Sequence, residues 1–213
     1  NIYGDQRDSL ALLDHGWIQA YAENNQEALD LALMAYAVAE DPAVLTPFMV
    51  NLDGFALTHT YETVDVPAEE DADAFLPPYQ ATNCFDFEHP KNIGYSAGPD
   101  YNRYFKYYEH RDMLGAFEAI DRVEARFAEC FGRAYTGPVE AVSCDDAEAV
   151  LVTLGSIAGL ARESVARLRE QGKRVGLLRI RYMRPFPAKL IAEALAGAAA
   201  VGVLEKDISF GAE

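Results

Sequence analysis

The chain has 213 residues, 50% hydrophobic and 24% charged, an ordinary globular composition long enough for one or two domains. Its 18 Lys and Arg against 34 Asp and Glu give a formal charge of -16, which argues against a nucleic acid or an anionic membrane as partner; either solubility or docking to a basic partner accounts for it. No stretch approaches the roughly 18 to 20 apolar residues of a membrane span, and the opening Asn1-Ile2-Tyr3-Gly4-Asp5 lacks the basic-then-apolar order of a signal peptide.

Asp5, Asp8 and Asp14, with Arg7 between them and His15 after, match no calcium loop and include no His-x-x-x-His pair, so turn and capping roles are expected of them. A short strand is predicted within 16–23, around Trp17, Ile18 and Tyr21. Asn24 or Asn25 then caps a helix with Glu27 in its first turn. The run 28–39 is almost wholly apolar or small, which predicts a helix buried on all sides, ended at Asp41-Pro42. The run 46–51 suits a buried parallel strand ending at Leu52-Asp53-Gly54.

Beyond it, 67–73 is acidic and Leu76-Pro77-Pro78 should be extended. An aromatic stretch follows with Tyr95, Tyr101, Tyr104, Phe105, Tyr107 and Tyr108, read either as a connector laid on a neighbouring surface or as a substrate pocket or subunit interface. Phe117, Ile120, Val123, Phe127 and Phe131 recur at helical spacing and predict an amphipathic helix over 115–134. A second α/β unit begins near 138. Strands over 149–154, 175–180 and 199–204 alternate with helices over 157–171 and 188–196, the former with Ile157, Leu160, Val165 and Leu168 inward and stopped by Gly172. That order implies parallel strands with right-handed crossovers.

Three groups carry candidate chemistry. Gly155-Ser156, at a strand end before a helix, is either an anion-holding turn or simply a tight one; it lacks the glycine-rich dinucleotide fingerprint. Asp53-Gly54-Phe55 with Thr58-His59 stands where α/β proteins bind ligands, at a strand's C-terminal end. His59 there is either a proton exchanger or a structural hydrogen bonder. Cys84, Cys130 and Cys144 are scattered with no CxxC, so no zinc or iron–sulfur site is encoded, and they fit a reducing cytoplasm. Both ends of the chain look cut, as in a fragment of a longer protein.

Read together, these segments resemble the alpha subunit of the 2-oxoacid:ferredoxin oxidoreductases, the pyruvate:ferredoxin oxidoreductase family, in its multi-subunit form. The residues that carry the resemblance are Gly4-Asp5-Gln6-Arg7-Asp8, Asp14-His15-Gly16-Trp17-Ile18-Gln19, Asn25-Gln26-Glu27-Ala28-Leu29-Asp30, Asp53-Gly54-Phe55-Ala56-Leu57-Thr58-His59, Arg179 through Pro187 and Leu204-Glu205-Lys206-Asp207. The resemblance implies an α/β fold: 1–66 as the C-terminal part of a pyrimidine-binding domain for thiamine diphosphate, 67–137 as a connector, and 138–213 as a truncated transketolase C-terminal-like domain with parallel strands. It implies a cytoplasmic enzyme that converts a 2-oxoacid to an acyl-CoA and passes electrons to ferredoxin. Thiamine diphosphate and magnesium would be shared with a beta subunit, and the iron–sulfur clusters carried by partner subunits of gamma and delta type. The glutamate that activates the cofactor ring would lie before residue 1. Gly4, Asp5, Asp8, Leu13, Asp53, Gly54, Phe55, Thr58 and His59 are the residues placed near substrate or cofactor. Leu13 departs from the family, which often carries an arginine there for the substrate carboxylate; either another cation compensates or the substrate is a bulkier 2-oxoacid. The competing readings are a non-catalytic assembly module and a thiamine enzyme of the transketolase or dehydrogenase type.

Overall fold

The computed structural model describes residues 4–81, 83–94 and 96–208. Tyr95 and the closing run 210–213 lie outside the described residues. A single helical turn α1 (Arg7–Leu10) leads into strand β1 (Ile18–Tyr21), helix α2 (Asn25–Ala39) and strand β2 (Phe48–Asn51). β1 and β2 run parallel with Ile18 opposite Phe48, the geometry a helical crossover permits. Asn24 caps α2 by accepting the Glu27 N–H at 2.9 Å.

Two burial expectations need correction. α2 turns Leu31, Met34 and Val38 inward but leaves Tyr36 62% exposed. β2 is only half-buried, because it is the edge of a sheet ordered β2-β1-β6, with no further strand beside it among the described residues.

The acidic segment folds into a short helix, α3 (Glu69–Phe75), which ends by burying the Phe75 ring edge-on against Phe127 and Phe131 at 5.4 and 5.5 Å between centroids. The next helix, α4 (Pro99–Phe131), is much longer than 115–134. Pro99 opens it at a position where proline is favoured, and Gly132 closes it in the left-handed region at φ 68°. Gly115 does not stop it, since a glycine costs a helix only about 1 kcal/mol. The tyrosines therefore lie on a helix. α4 is buried only from Met113 onward, where Ile120, Val123 and Phe127 join Ile18, Leu31 and Met34 in the first core.

The second unit comprises β3 (Val139–Val142), β4 (Ala149–Leu154), α5 (Ile157–Glu170), β5 (Val175–Ile180), β6 (Tyr182–Arg184), α6 (Ala188–Leu195) and β7 (Ala200–Leu204). Its sheet has the order β3-β5-β4-β7, parallel apart from β3, which pairs antiparallel with β5. Successive side chains of β5 point to opposite faces. Leu177 meets α5, and Leu178 lies in the cluster that α6 covers. The inward face of α5 is Ala158, Ala161 and Val165; Leu160 and Leu168 are exposed instead, because the small alanines let the helix sit close to the strands.

β6, which the sequence does not announce, joins the two units. Only Arg181 separates it from β5, yet it pairs antiparallel with β1 in the first sheet. The run 175–184 thus leaves one sheet and enters the other. Around the crossing point the Arg179 and Arg181 guanidiniums, both 2% exposed, meet Glu27 at the start of α2. Arg181 also donates to the Gly137 carbonyl at 2.7 Å. Arg162 of α5 bridges Glu23 and Glu140 at 2.8 and 2.9 Å. A buried charge is tolerated only when paired in this way.

Candidate functional site

The C-terminal ends of β2, β4 and β7 converge, although they belong to two different sheets. From β2 the chain runs into Leu52-Asp53-Gly54, from β4 into Gly155-Ser156, and from β7 into Glu205-Lys206-Asp207. The centre is the Asp53 carboxylate, 1% exposed. One of its oxygens accepts from the Gln6 side-chain amide. The other accepts from the Ser156 hydroxyl, from the Ser156 N–H at 3.3 Å and from the Lys206 ammonium at 2.6 Å. The Asp207 carboxylate takes the Gln6 backbone N–H at 3.1 Å. Burial pushes the Asp207 carboxyl up, and that hydrogen bond opposes the shift.

The opening turn is drawn in by the same knot. Gly4 sits at φ 69° directly against the Gly54 carbonyl, and a Cβ on Gly4 would overlap that oxygen. The Gly4-Asp5-Gln6 turn and the Asp53 loop, distant in sequence, therefore touch. α1 continues the packing: the Ser9 hydroxyl accepts or donates across 3.0 Å to the Tyr21 hydroxyl at the end of β1. Burial pushes that phenol up to about 12, partly opposed by the Ser9 bond, so Tyr21 remains a neutral hydroxyl.

After Asp53 the chain makes a compact turn. Leu57 is its buried anchor, and its N–H donates to the Asp53 carbonyl at 3.2 Å. Phe55 adopts φ 67°, an unfavourable value for a bulky residue. Its ring stacks on His59 at 5.0 Å and is 59% exposed. Thr58 Oγ1 accepts the Phe55 N–H and lies 2.9 Å from His59 Nδ1. Both bonds are made if Thr58 donates to Nδ1, which puts the imidazole proton on Nε2. An aromatic face, a hydroxyl and an imidazole are thus presented outward on a strained turn.

The other predicted positions are less central. Asp5 pairs with Arg7 at 2.6 Å, and Asp8 accepts the Ser9 N–H at 2.7 Å; both contacts are local, but no side chain caps α1. Asp14 lies 3.6 Å from Arg184. Among the described residues no group of His, Cys, Asp or Glu is arranged to hold a metal. Leu13 lines a different cleft, of about 310 Å³, whose Lys106 and Arg184 face its own carboxylates, Glu109 at 2.6 Å and Asp14 at 3.6 Å; the Arg184 Nε–H donates to the Leu13 carbonyl at 3.0 Å. Gln6 and Asp207 lie within segments that carry the resemblance, but neither is among the residues it places near substrate or cofactor. Gly155-Ser156, expected as either an anion-holding turn or simply a tight one, meets the protein's own Asp53 carboxylate.

Two α/β units meet here at the C-terminal ends of their strands, the place where α/β proteins bind ligands. Comparison with known proteins narrows the class. The family model for pyruvate flavodoxin/ferredoxin oxidoreductase, thiamine diphosphate-binding, matches residues 1–125, and that for pyruvate:ferredoxin oxidoreductase core domain II matches 147–213. The chain belongs to this oxidoreductase family. It is 47% identical to the pyruvate synthase subunit PorA of Methanothermobacter thermautotrophicus over 99% of its own length and 55% of the relative's. It is 41% identical to the ketoisovalerate oxidoreductase subunit VorA of Pyrococcus abyssi, over 100% of its own length and 54% of that subunit's. The chain therefore spans about half the length of the curated relatives it matches. In fold it is similar to a 2-oxoglutarate:ferredoxin oxidoreductase from Magnetococcus marinus with 2-oxoglutarate, coenzyme A and succinyl-CoA bound. That likeness has a TM-score of 0.63 at 17% identity, covering 98% of this chain and 39% of the other.

Proposed function

We propose that this chain is part of the alpha-type subunit of a thiamine diphosphate-dependent, CoA-acylating 2-oxoacid:ferredoxin oxidoreductase of the cytoplasm. The observation that supports this most is the contact of the Gly4–Gln6 turn with the Asp53–His59 loop at converging strand ends. In this reading 1–66 and 138–213 belong to the pyrimidine-side and transketolase C-terminal-like domains, with 67–137 between them.

The exposed face of Phe55, Thr58 and His59 would hold the aminopyrimidine side of the cofactor. The Asp53 carboxylate is already saturated by Gln6, Ser156 and Lys206, so magnesium and the diphosphate are assigned to a beta-type partner subunit. Bound thiamine diphosphate supplies the electron sink for decarboxylation. The residues of this chain hold and orient it. Electrons pass to ferredoxin through iron–sulfur clusters on gamma- and delta-type partners, and coenzyme A accepts the acyl group. The acidic surface and the exposed tyrosines of α4 are assigned to subunit contacts, where tyrosine is favoured.

The Leu13 cleft bears on the substrate. Leucine offers a carboxylate no grip, and the cations of that cleft are already engaged, Lys106 by Glu109 at 2.6 Å and Arg184 by Asp14 at 3.6 Å, so a compensating cation from elsewhere and a bulkier 2-oxoacid stand as the two alternatives. The assembled complex should reduce ferredoxin with pyruvate only when thiamine diphosphate and coenzyme A are both present. A kcat/KM that favours 2-oxoisovalerate or phenylglyoxylate would select the bulkier-substrate alternative. Failure with every 2-oxoacid would reject the reading.

A further inference from the structure

We infer that Lys206, at the end of β7 in the second unit, is a positioning residue for the Gly54–His59 turn of the first. This rests on the reading of that turn as part of the cofactor site. Asp53 is the residue from which the turn springs: its carbonyl accepts the Leu57 N–H at 3.2 Å, and Leu57 is the turn's buried anchor. Its carboxylate, 1% exposed, takes neutral donors from Gln6 and Ser156; among the described residues, Lys206 is the cation that meets it, at 2.6 Å. The Lys206 ammonium also lies 3.3 Å from the Ser156 hydroxyl, so it closes the knot on the side of the second unit.

A buried carboxylate stripped of the one cationic partner it has among the described residues becomes an uncompensated charge. It relieves that condition by moving toward water, and the segment that moves with it is 54–59, which carries the strained Phe55 and the Phe55–His59 stack. Gly4 is pressed on the Gly54 carbonyl, so the opening turn shifts as well. The second unit thereby sets the geometry of a surface that the first unit presents. Lys206 touches neither substrate nor cofactor in this account; it acts through Asp53.

The test uses the assembled complex with Lys206→Met, Lys206→Arg, and Lys206→Met combined with Asp53→Asn. Amide hydrogen exchange gives a readout independent of activity. In Lys206→Met, exchange across 54–60 should accelerate at least about tenfold while that of α2 stays unchanged, the mark of local opening. The kcat/KM for the 2-oxoacid should fall roughly tenfold or more, as misplacement of a site by a distant change does. Lys206→Arg should restore both. The double variant should lie closer to wild type than Lys206→Met alone, because it removes the orphaned charge; such non-additivity is what coupled residues show. Unchanged exchange in 54–60 overturns the inference. So does accelerated exchange with unaltered kcat/KM, or a loss of activity that merely tracks loss of assembled complex. If the wild-type complex has no activity on 2-oxoacids, the functional reading falls, and the exchange arm still decides whether Lys206 holds the turn.

Discussion

At the scale of single residues, the site depends on the absence of one carbon atom and the placement of one proton. Gly4 sits at φ 69° with the Gly54 carbonyl where a Cβ would go. Gly4→Ala combines left-handed strain of about 1 to 2 kcal/mol with a steric clash, so it should separate the two loops. The expected outcome is a weaker Kd for thiamine diphosphate in the assembled complex, by about tenfold or more, with the second unit's exchange protection retained; unchanged affinity would show that the loops need not touch. Glu124 makes a pH prediction. Burial, opposed by the charge of Arg181 and the Gly137 N–H, pushes its carboxyl above 4.5. The folded protein then holds this proton more tightly than the unfolded chain, so the group favours folding at acid pH. That contribution is lost as pH rises through the raised value. Relative to wild type, Glu124→Gln should therefore gain in Tm as pH climbs from 4.5 toward neutrality; a Tm difference constant with pH would contradict the assignment.

At the scale of elements, legibility followed period and length. The β1–α2–β2 unit was readable because Trp17, Ile18 and Tyr21, the asparagine cap at 24 or 25 and the run to Asn51 each carry a local signal. The alternation of β4, α5, β5, α6 and β7 was readable for the same reason. β6 was not, since the three residues of Tyr182–Arg184 are too few to show a period. The first half of α4 was missed because Tyr101, Tyr104, Tyr107 and Tyr108 are set by exposure rather than by core packing, so they carry no inward stripe. In the site, Asp53-Gly54-Phe55 and His59 were legible from the strand end that precedes them. That Gln6, Ser156 and Lys206 are the donors of Asp53 was not, because they come from segments whose meeting only the tertiary fold determines. The exposed α4 aromatics carry a prediction at this scale: Tyr104→Glu with Tyr108→Glu should reduce co-purification of partner subunits while leaving the chain's own Tm within a degree or two, since surface substitutions are usually within about 0.5 kcal/mol. Full recovery of partners would remove α4 from the interface.

At the scale of the whole molecule, two units are fastened twice. One fastening is the strand run that passes from the second sheet into the first through Arg179 and Arg181, both bound to Glu27. Removing one partner of such a buried set is costly, so Arg181→Met should destabilise the fold by about 3 to 5 kcal/mol in denaturant unfolding; a loss under 1 kcal/mol would mean that the units are held by apolar packing alone. The other fastening is the Asp53 knot, which lies at the proposed site and gives the second unit a hold on it. The central claim is that the Gly4–Leu10 and Asp53–Thr60 segments together form the cofactor-facing surface of this chain. Hydrogen exchange of the assembled complex, with and without thiamine diphosphate and magnesium, tests it directly. Protection should rise in both segments together on addition of the cofactor. Saturating cofactor that leaves both segments unprotected, or protects residues elsewhere in their place, would contradict the account.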